Sequence, residues 1–435
     1  MLYWRFFIGS VRLWVSGGKG YFAWLAFLAG CILIGALGYA EQLGGGLIKT
    51  HMRDPVSWGF YIGNFTFLVG VAAAAVVLVI PAYLYHWKPI KEIVIIGELL
   101  AVSAVAMCLM FVTVDIGRPD RAWHLLPGLG HLNFPSSLLA WDVLVLNGYG
   151  LLNFVIVTHI VYRAFVRREY SGSFVMPLVL LSIPFAVGIH TVTAFVYNGL
   201  PARPYWNSAI LAPRFLASAF CSGPAIMLVL LQLLKRYTRL GIRDEAIWKI
   251  AELMAYAMFI NLFLLGAELF REYYSGTHHL LYFRYLFTGI GDQTALVPYA
   301  WASVLFSVAA FALFLTPATR KNPVTLNLGA LLIYAGVYIE KGVALVIPGF
   351  TPSTLGEIYA YTPSRVELQV AAGVFGAGFL LFTLMMKVAV PIMLGEFHID
   401  APPLRRSSAR PAPPVLESPS PLVGIGEAHG RSPGR

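Results

Sequence analysis

The chain has 435 residues, 58% of them hydrophobic and 12% charged, with a formal net charge of +10 and a mean hydropathy of +0.72. Soluble domains carry about a quarter charged residues, so this balance excludes an ordinary soluble fold and predicts an all-α polytopic membrane protein. The positive charge does not point to nucleic acid, because the basic residues concentrate in short loops between apolar runs.

In chain order, residues 1–20 (MLYWRFFIGSVRLWVSGGKG) are basic and aromatic with no small-residue cleavage site. That pattern predicts an amphipathic interfacial helix rather than a signal peptide. Ten apolar runs follow, at about 21–40, 57–84, 90–114, 137–163, 174–199, 212–235, 248–270, 297–316, 324–347 and 370–394. Each is long enough to cross a bilayer, which takes roughly 20 helical residues. Lys88 and Lys91, then Arg163, Arg167 and Arg168, then Lys235, Arg236, Arg239 and Arg243, then Arg320 and Lys321 fall in alternate loops. The positive-inside rule makes those loops cytoplasmic and puts both termini inside a cytoplasmic (inner) membrane, with the basic residues against anionic lipid. The longer loops near 41–56, 115–136, 198–211, 271–296 and 348–369 then face outward. Residues 21–396 form the transmembrane domain, and the Pro-, Ser-, Arg- and Gly-rich 397–435 predicts a disordered cytoplasmic tail.

Cys31, Cys108 and Cys221 stand alone in separate spans, and no CxxC occurs, so an iron–sulfur cluster or structural zinc has no ligand set. Of the histidines, only His159 and His190 lie well inside spans, at opposite depths, which argues against a bis-His haem. Ionisable residues inside a bilayer are costly and mark function or a fixed ion pair. In the outer half lie Asp115, Asp142, His190, Glu268, Glu340 and Lys341, with Asn64 one to two turns into the second span. Adjacent helical residues point about 100° apart, so Glu340 and Lys341 are expected to face away from each other and to need partners on other helices. In the inner half, His159 and Glu252 sit near span ends, while Glu98 and Lys387 are deeper and fit a hydrated proton path or a buried pair. Asp115 with Arg118, and Glu268 with Arg271, repeat an acid-x-x-Arg ending, and His190 and Glu340 fall about 16 residues into their spans. Spans 2–5 and 6–9 therefore read as two related four-helix bundles, with flanking helices.

Three functions are compatible with such a chain. A quinone site needs an apolar slot with a donor or base at each carbonyl, and Asn64, His190 and Asp142 with Trp58 and Tyr61 are suitable types near one face. A secondary transporter places paired charges near the midplane, whereas here they gather toward the outer face. A b-type cytochrome lacks its level histidine pair.

The segments SWGFYIGNFTFLVGVAAAA (57–75), VTVDIGRPDRAWHLLPG (112–128) and GIHTVTAFVYNGLPARPYWNSAILAPRFLASAF (188–220) resemble, in this order, three elements of the NrfD/PsrC family of quinone-interacting membrane subunits. These are its W-G-x-x-I opening helix, its D-x-GRP-x-R-x-W element and its His-containing span with a following (R/H)P-x-W loop. The resemblance covers about residues 20–396. With YIEKGVALVIPGFTPSTLGEIYAYTPSRVE (338–367) and ten spans, the chain looks most like the DsrP branch, found in the DsrMKJOP sulfur-metabolism complex; hydrogenase and alternative complex III membrane subunits are the other candidates. It implies a quinone (menaquinone or ubiquinone) as bound substrate, no haem or iron–sulfur cluster of its own, and oxidoreductase activity only within a complex. It also implies a periplasmic iron–sulfur partner, a multihaem cytochrome c and a second membrane subunit with a cytoplasmic arm. By position, the quinone role carries over to Asn64 and His190, and the D-x-GRP-x-R role to Asp115, Arg118 and Arg121. Some relatives have an acid one residue after Asn64, where this chain has Phe65. The resulting expectation is that His190 and Asn64 hold the quinone, Asp142 or Asp115 releases its protons, and Asp115 and Arg118 neutralise each other at the rim.

Overall fold

A computed structural model describes residues 2–72, 74–85, 87–126 and 128–399; the predicted tail from 400 onward lies outside them. The elements are α1 (Leu2–Trp14), α2 (Lys19–Gly45), α3 (Phe60–Ala72), α4 (Val94–Asp115), α5 (Leu138–Phe165), α6 (Gly172–Asn198), α7 (Leu211–Tyr237), α8 (Asp244–Ser275), α9 (Val297–Leu315), α10 (Pro323–Lys341), α11 (Val343–Phe350) and α12 (Arg365–Met393). Nine helical segments among the described residues are long and apolar enough to cross a membrane, α10 and α11 counting together as one. The chain is a multi-pass helical membrane protein.

The second predicted span departs from a continuous helix. It runs as α3, then as Ala74–Val79, and closes in a π-helical turn over Ile80–Leu84. Pro81 lacks an N–H and crowds the preceding turn, so the ladder widens: Tyr85 N–H reaches Ile80 O, and Trp87 N–H reaches Pro81 O. Most of α3 is buried, including Tyr61, Asn64 and Thr66.

Helices α3, α4, α5 and α6 form one bundle, and α7, α8, α9 and α10 a second; α3 and α6 both pack on α7 and join the two. The flanking pair α2 and α12 lies along α4. There the backbones touch: a Cβ at Gly35 would stand 2.4 Å from Gly373 Cα, so small residues set the approach. The alternate basic loops do gather at one end, where Arg243 bonds Glu92 at 3.2 Å and the Lys321 ammonium sits 5.2 Å over the Trp248 ring. The longer loops gather at the other end, where the Trp206 indole donates to Leu345 O at 2.9 Å and ties the loop joining the bundles to α11.

Candidate functional site

At the long-loop end, α3, the start of α9, α11 and residues 361–363 line a partly open cavity of about 340 Å³. Phe60, Leu296, Val343, Val346 and Ile347 supply apolar walls, and Gly63 and Gly342 let α3 and the start of α11 approach closely, a Cβ on Gly63 standing 3.3 Å from Gly342 Cα. Asn64, Tyr299, Tyr338 and Tyr361 are the residues of this lining that carry polar side-chain groups besides Thr362. Asn64 is 1% exposed; its Nδ2 donates to Phe60 O one turn back (2.7 Å), and its Oδ1 accepts from Tyr338 Oη at 2.9 Å. The pair holds two helices of different bundles at one depth. An apolar slot of a few hundred Å³ with a few fixed donors is the usual form of a small-molecule site.

Tyr361 shares that wall. Its Oη accepts from Phe60 N–H at 2.7 Å and donates to Glu367 Oε1. Burial, then the charge of Glu367, push the phenol's pKa up. Glu367 Oε2 accepts from Ser364 N–H (2.8 Å) and His51 N–H (3.0 Å). The Ser364–Glu367 capping box that starts α12 thus places a carboxylate behind the cavity wall. Neither Tyr361 nor Glu367 was singled out by sequence reasoning; the S-x-x-E spacing ahead of an apolar run is the signal that marks a helix start there.

Of the residues predicted to form the site, Asn64 alone lines this cavity. His190 is buried on α6; its Nδ1 meets Ala186 O at 2.7 Å, while Nε2 is buried without a hydrogen bond. Asp142 accepts from Thr193 Oγ1 at 2.7 Å, one helical turn along α6 from His190. Trp58 packs with Trp206, Tyr197 and Phe350 at ring-centroid separations of 5.5–5.9 Å. Tyr61 donates to Gln42 Oε1 at 2.7 Å, and Gln42 donates in turn to Val114 O.

The expected Asp115–Arg118 pair does not form. Helix α4 ends at Asp115 and Ile116 is extended, so the three-residue spacing no longer stacks the two side chains. Arg118 turns outward to Asp120 at 2.9 Å, both largely exposed, and its hydrogen bonds hold the Asp120 carboxyl below the usual range. Asp115 instead has a buried Oδ1 with no partner. Arg121, Trp123 and His124 are exposed beside this pair, away from the cavity. Arg118→Ala is therefore expected to leave the unfolding midpoint of the isolated subunit unchanged within error, since exposed pairs contribute little; a clear drop in that midpoint would restore a structural role for this loop.

The second bundle carries a buried charge network. Arg214 bridges Glu268 and, at 3.0 Å, Glu340 Oε1; Asn261 Nδ2 donates to Glu340 Oε2 at 2.9 Å. Lys341 Nζ lies 3.3 Å from Glu340 Oε1 and 4.5 Å over the Phe215 ring. Contrary to expectation, the neighbours Glu340 and Lys341 therefore touch. Helix α10 ends at Lys341, Gly342 leaves helical geometry, and the two long side chains bend into one pocket. Arg214 went unnoticed in the sequence because it sits four residues into an apolar helix; an arginine there, just after Pro213, is its only mark. A space of about 30 Å³ adjoins the network, room for a water.

At the basic end, Glu98 is fully buried with Tyr83 Oη at 3.3 Å, while Lys387 stacks 4.6 Å over Tyr21, so these two do not pair. Glu252 contacts Lys249 and Arg320. A larger groove of about 580 Å³ runs past Val76, Trp87, Phe220 and Ile260, but its one charged residue, Lys249, is held by Glu252. It offers apolar surface without a fixed polar partner.

Comparison with known proteins places this geometry. The family described as polysulphide reductase, NrfD, matches residues 49–351. A Halobacterium salinarum protein, provisionally named as a membrane subunit of dimethyl sulfoxide reductase, is 27% identical over 84% of this chain and 89% of its own length. A selenate reductase subunit from Mesobacillus selenatarsenatis is 24% identical over 86% and 94%. The Hdr-like menaquinol oxidoreductase integral membrane subunit of Archaeoglobus fulgidus is 23% identical over 85% and 93%. The family match spans both bundles and ends at α11, before Tyr361 and Glu367, and the chain belongs to the NrfD polysulphide reductase family.

Proposed function

We propose that the chain is the quinone- or quinol-interacting membrane subunit of an electron-transfer complex, an oxidoreductase only within that complex. The observation that carries the reading is the Asn64–Tyr338 pair on the wall of an otherwise apolar cavity. A quinone ring fits such a slot, with the Asn64 amide and the Tyr338 and Tyr361 hydroxyls at its carbonyl oxygens and the aliphatic walls against its tail. The menaquinol named for the Archaeoglobus relative supports menaquinone as the substrate.

In this reading the long-loop end is periplasmic and both termini are cytoplasmic. Electrons pass to or from an iron–sulfur partner docked over the exposed Arg118, Arg121 and Trp123 rim. His190 stands near Val69 on α3, five residues or ~7.5 Å deeper than Asn64. With Asp142 it acts behind the pocket as a proton-holding pair, and Asp115 serves as an outlet toward the surface. The narrower form of the proposal is a DsrP-type sulfur-metabolism complex, with a multihaem cytochrome c and a second membrane subunit that has a cytoplasmic arm. Co-purification of those subunits from the native membrane tests it, and their absence from an otherwise intact complex overturns it.

The test of the site is quinol-driven reduction of the partner's clusters in assembled complexes. Asn64→Leu removes a buried hydrogen-bonding group and leaves Tyr338 unpaired, so turnover is expected to fall on the order of 10–100-fold, as about 1.5–3 kcal/mol of lost polar contact implies. Near-normal turnover in assembled Asn64→Leu would overturn the pocket.

A further inference from the structure

The reading above needs a base at the pocket, and none of the titratable residues singled out in the sequence lines it. We infer that Tyr361 and Glu367 form the proton relay of this cavity: Tyr361 touches the substrate, and Glu367 takes the proton through it. This rests on the quinone reading of the Asn64 cavity and extends it to a segment beyond the family-matched 49–351.

Several observations support the relay. The phenol lines the cavity, and its own hydrogen bond runs away from the cavity to Glu367 Oε1. Its second contact, from Phe60 N–H, leaves the oxygen fixed rather than rotating. Glu367 is 0% exposed, yet three donors converge on its carboxylate, so it is held in place as an acceptor. One of those donors is the main chain of His51, a residue exposed at the long-loop surface. Close packing enforces the position of the phenol as well: a Cβ on Gly59 would stand 2.3 Å from Tyr361 Oη.

Quinol oxidation frees two protons and two electrons; the relay takes the proton at the Tyr361 side, and the one from the opposite ring oxygen goes to the His190–Asp142 pair of the proposed function. A quinol O–H breaks as its proton moves to Tyr361 Oη, while the Tyr361 O–H proton moves to Glu367 Oε1 and makes a neutral carboxyl. The tyrosine ends as it began. The two electrons leave one at a time to the iron–sulfur acceptor of the complex, and the carboxyl then gives up its proton to water on the long-loop side, where His51 is exposed. Quinone reduction runs the same transfers backward.

The experiment uses the assembled complex. Glu367→Gln keeps the capping-box geometry but cannot hold the proton, and Tyr361→Phe removes the relay oxygen. Each is expected to lower kcat on the order of 10²-fold with KM for quinol changed less than about threefold. The double variant is expected to be no slower than the slower single, because both interrupt one path. Normal kcat in assembled Glu367→Gln, or losses that multiply in the double variant, would overturn the relay. If Asn64→Leu still lowers turnover as expected in that case, the pocket stands and only the relay falls; if Asn64→Leu is also normal, both fall together.

Discussion

Arg214→Met is expected to leave the second bundle unable to hold its native packing. The guanidinium is the bridge between two buried carboxylates, Glu268 and Glu340, and only Lys341 remains to balance them once it is gone. Two cations and two anions make the intact network neutral, so the variant buries one unmatched negative charge. Breaking a buried pair by removing one partner costs about 3–5 kcal/mol. The checks are the SDS-unfolding midpoint and the fraction of monodisperse protein in detergent, both of which should fall sharply. Adding Glu268→Gln restores neutrality and should recover most of the loss. A double variant no more stable than Arg214→Met would mean that the arginine acts by packing and not by charge.

Gly349→Ala is the second large effect. A Cβ there would stand 1.9 Å from Trp206 Cε2 and 2.1 Å from Cζ2. The indole cannot yield, because it is wholly buried, bonded to Leu345 O, stacked on Trp58 and met edge-on by Tyr197 and Phe350. Helix α11 must shift instead, and it carries Val346 and Ile347, which wall the cavity. Overpacking of this kind costs about 1–3 kcal/mol, and the displaced wall should abolish quinol turnover before the protein fails to assemble. Gly266→Ala, where a Cβ meets open space, is the control and should be neutral. Equal behaviour of the two variants in unfolding and turnover would contradict the packing account.

The membrane class was legible because it rests on long apolar runs and on basic loops, and the two-bundle plan because acid-x-x-Arg endings recur in spans three and seven; both are signals along the chain. The break in the second span could have been anticipated from Pro81 but is masked by the hydropathy around it. Asn64 was legible as a polar residue in an apolar run. What sequence could not supply was partnership across helices. Asp115 and Arg118 share helical spacing on paper, yet the helix ends between them and Arg118 takes Asp120. Glu340 and Lys341 seemed set apart by 100° of helix, yet the helix stops and Arg214 gathers Glu340 from another element. Tyr338, Tyr361 and Glu367 carry no isolated-charge signature, because a tyrosine is ordinary in a membrane helix or an outer loop and a glutamate at N3 is ordinary in a capping box.

The central claim is that the substrate lies beside Asn64 and not in the larger apolar groove near Trp87. A photoreactive quinone analogue, irradiated in the assembled complex and mapped by peptide mass spectrometry, separates the two directly. The account predicts label on residues 58–64 and 338–347, lost in competition with excess menaquinol and lost in Asn64→Leu. Label confined to the Val76, Trp87 and Phe220 groove, competed by the same quinol, would contradict it.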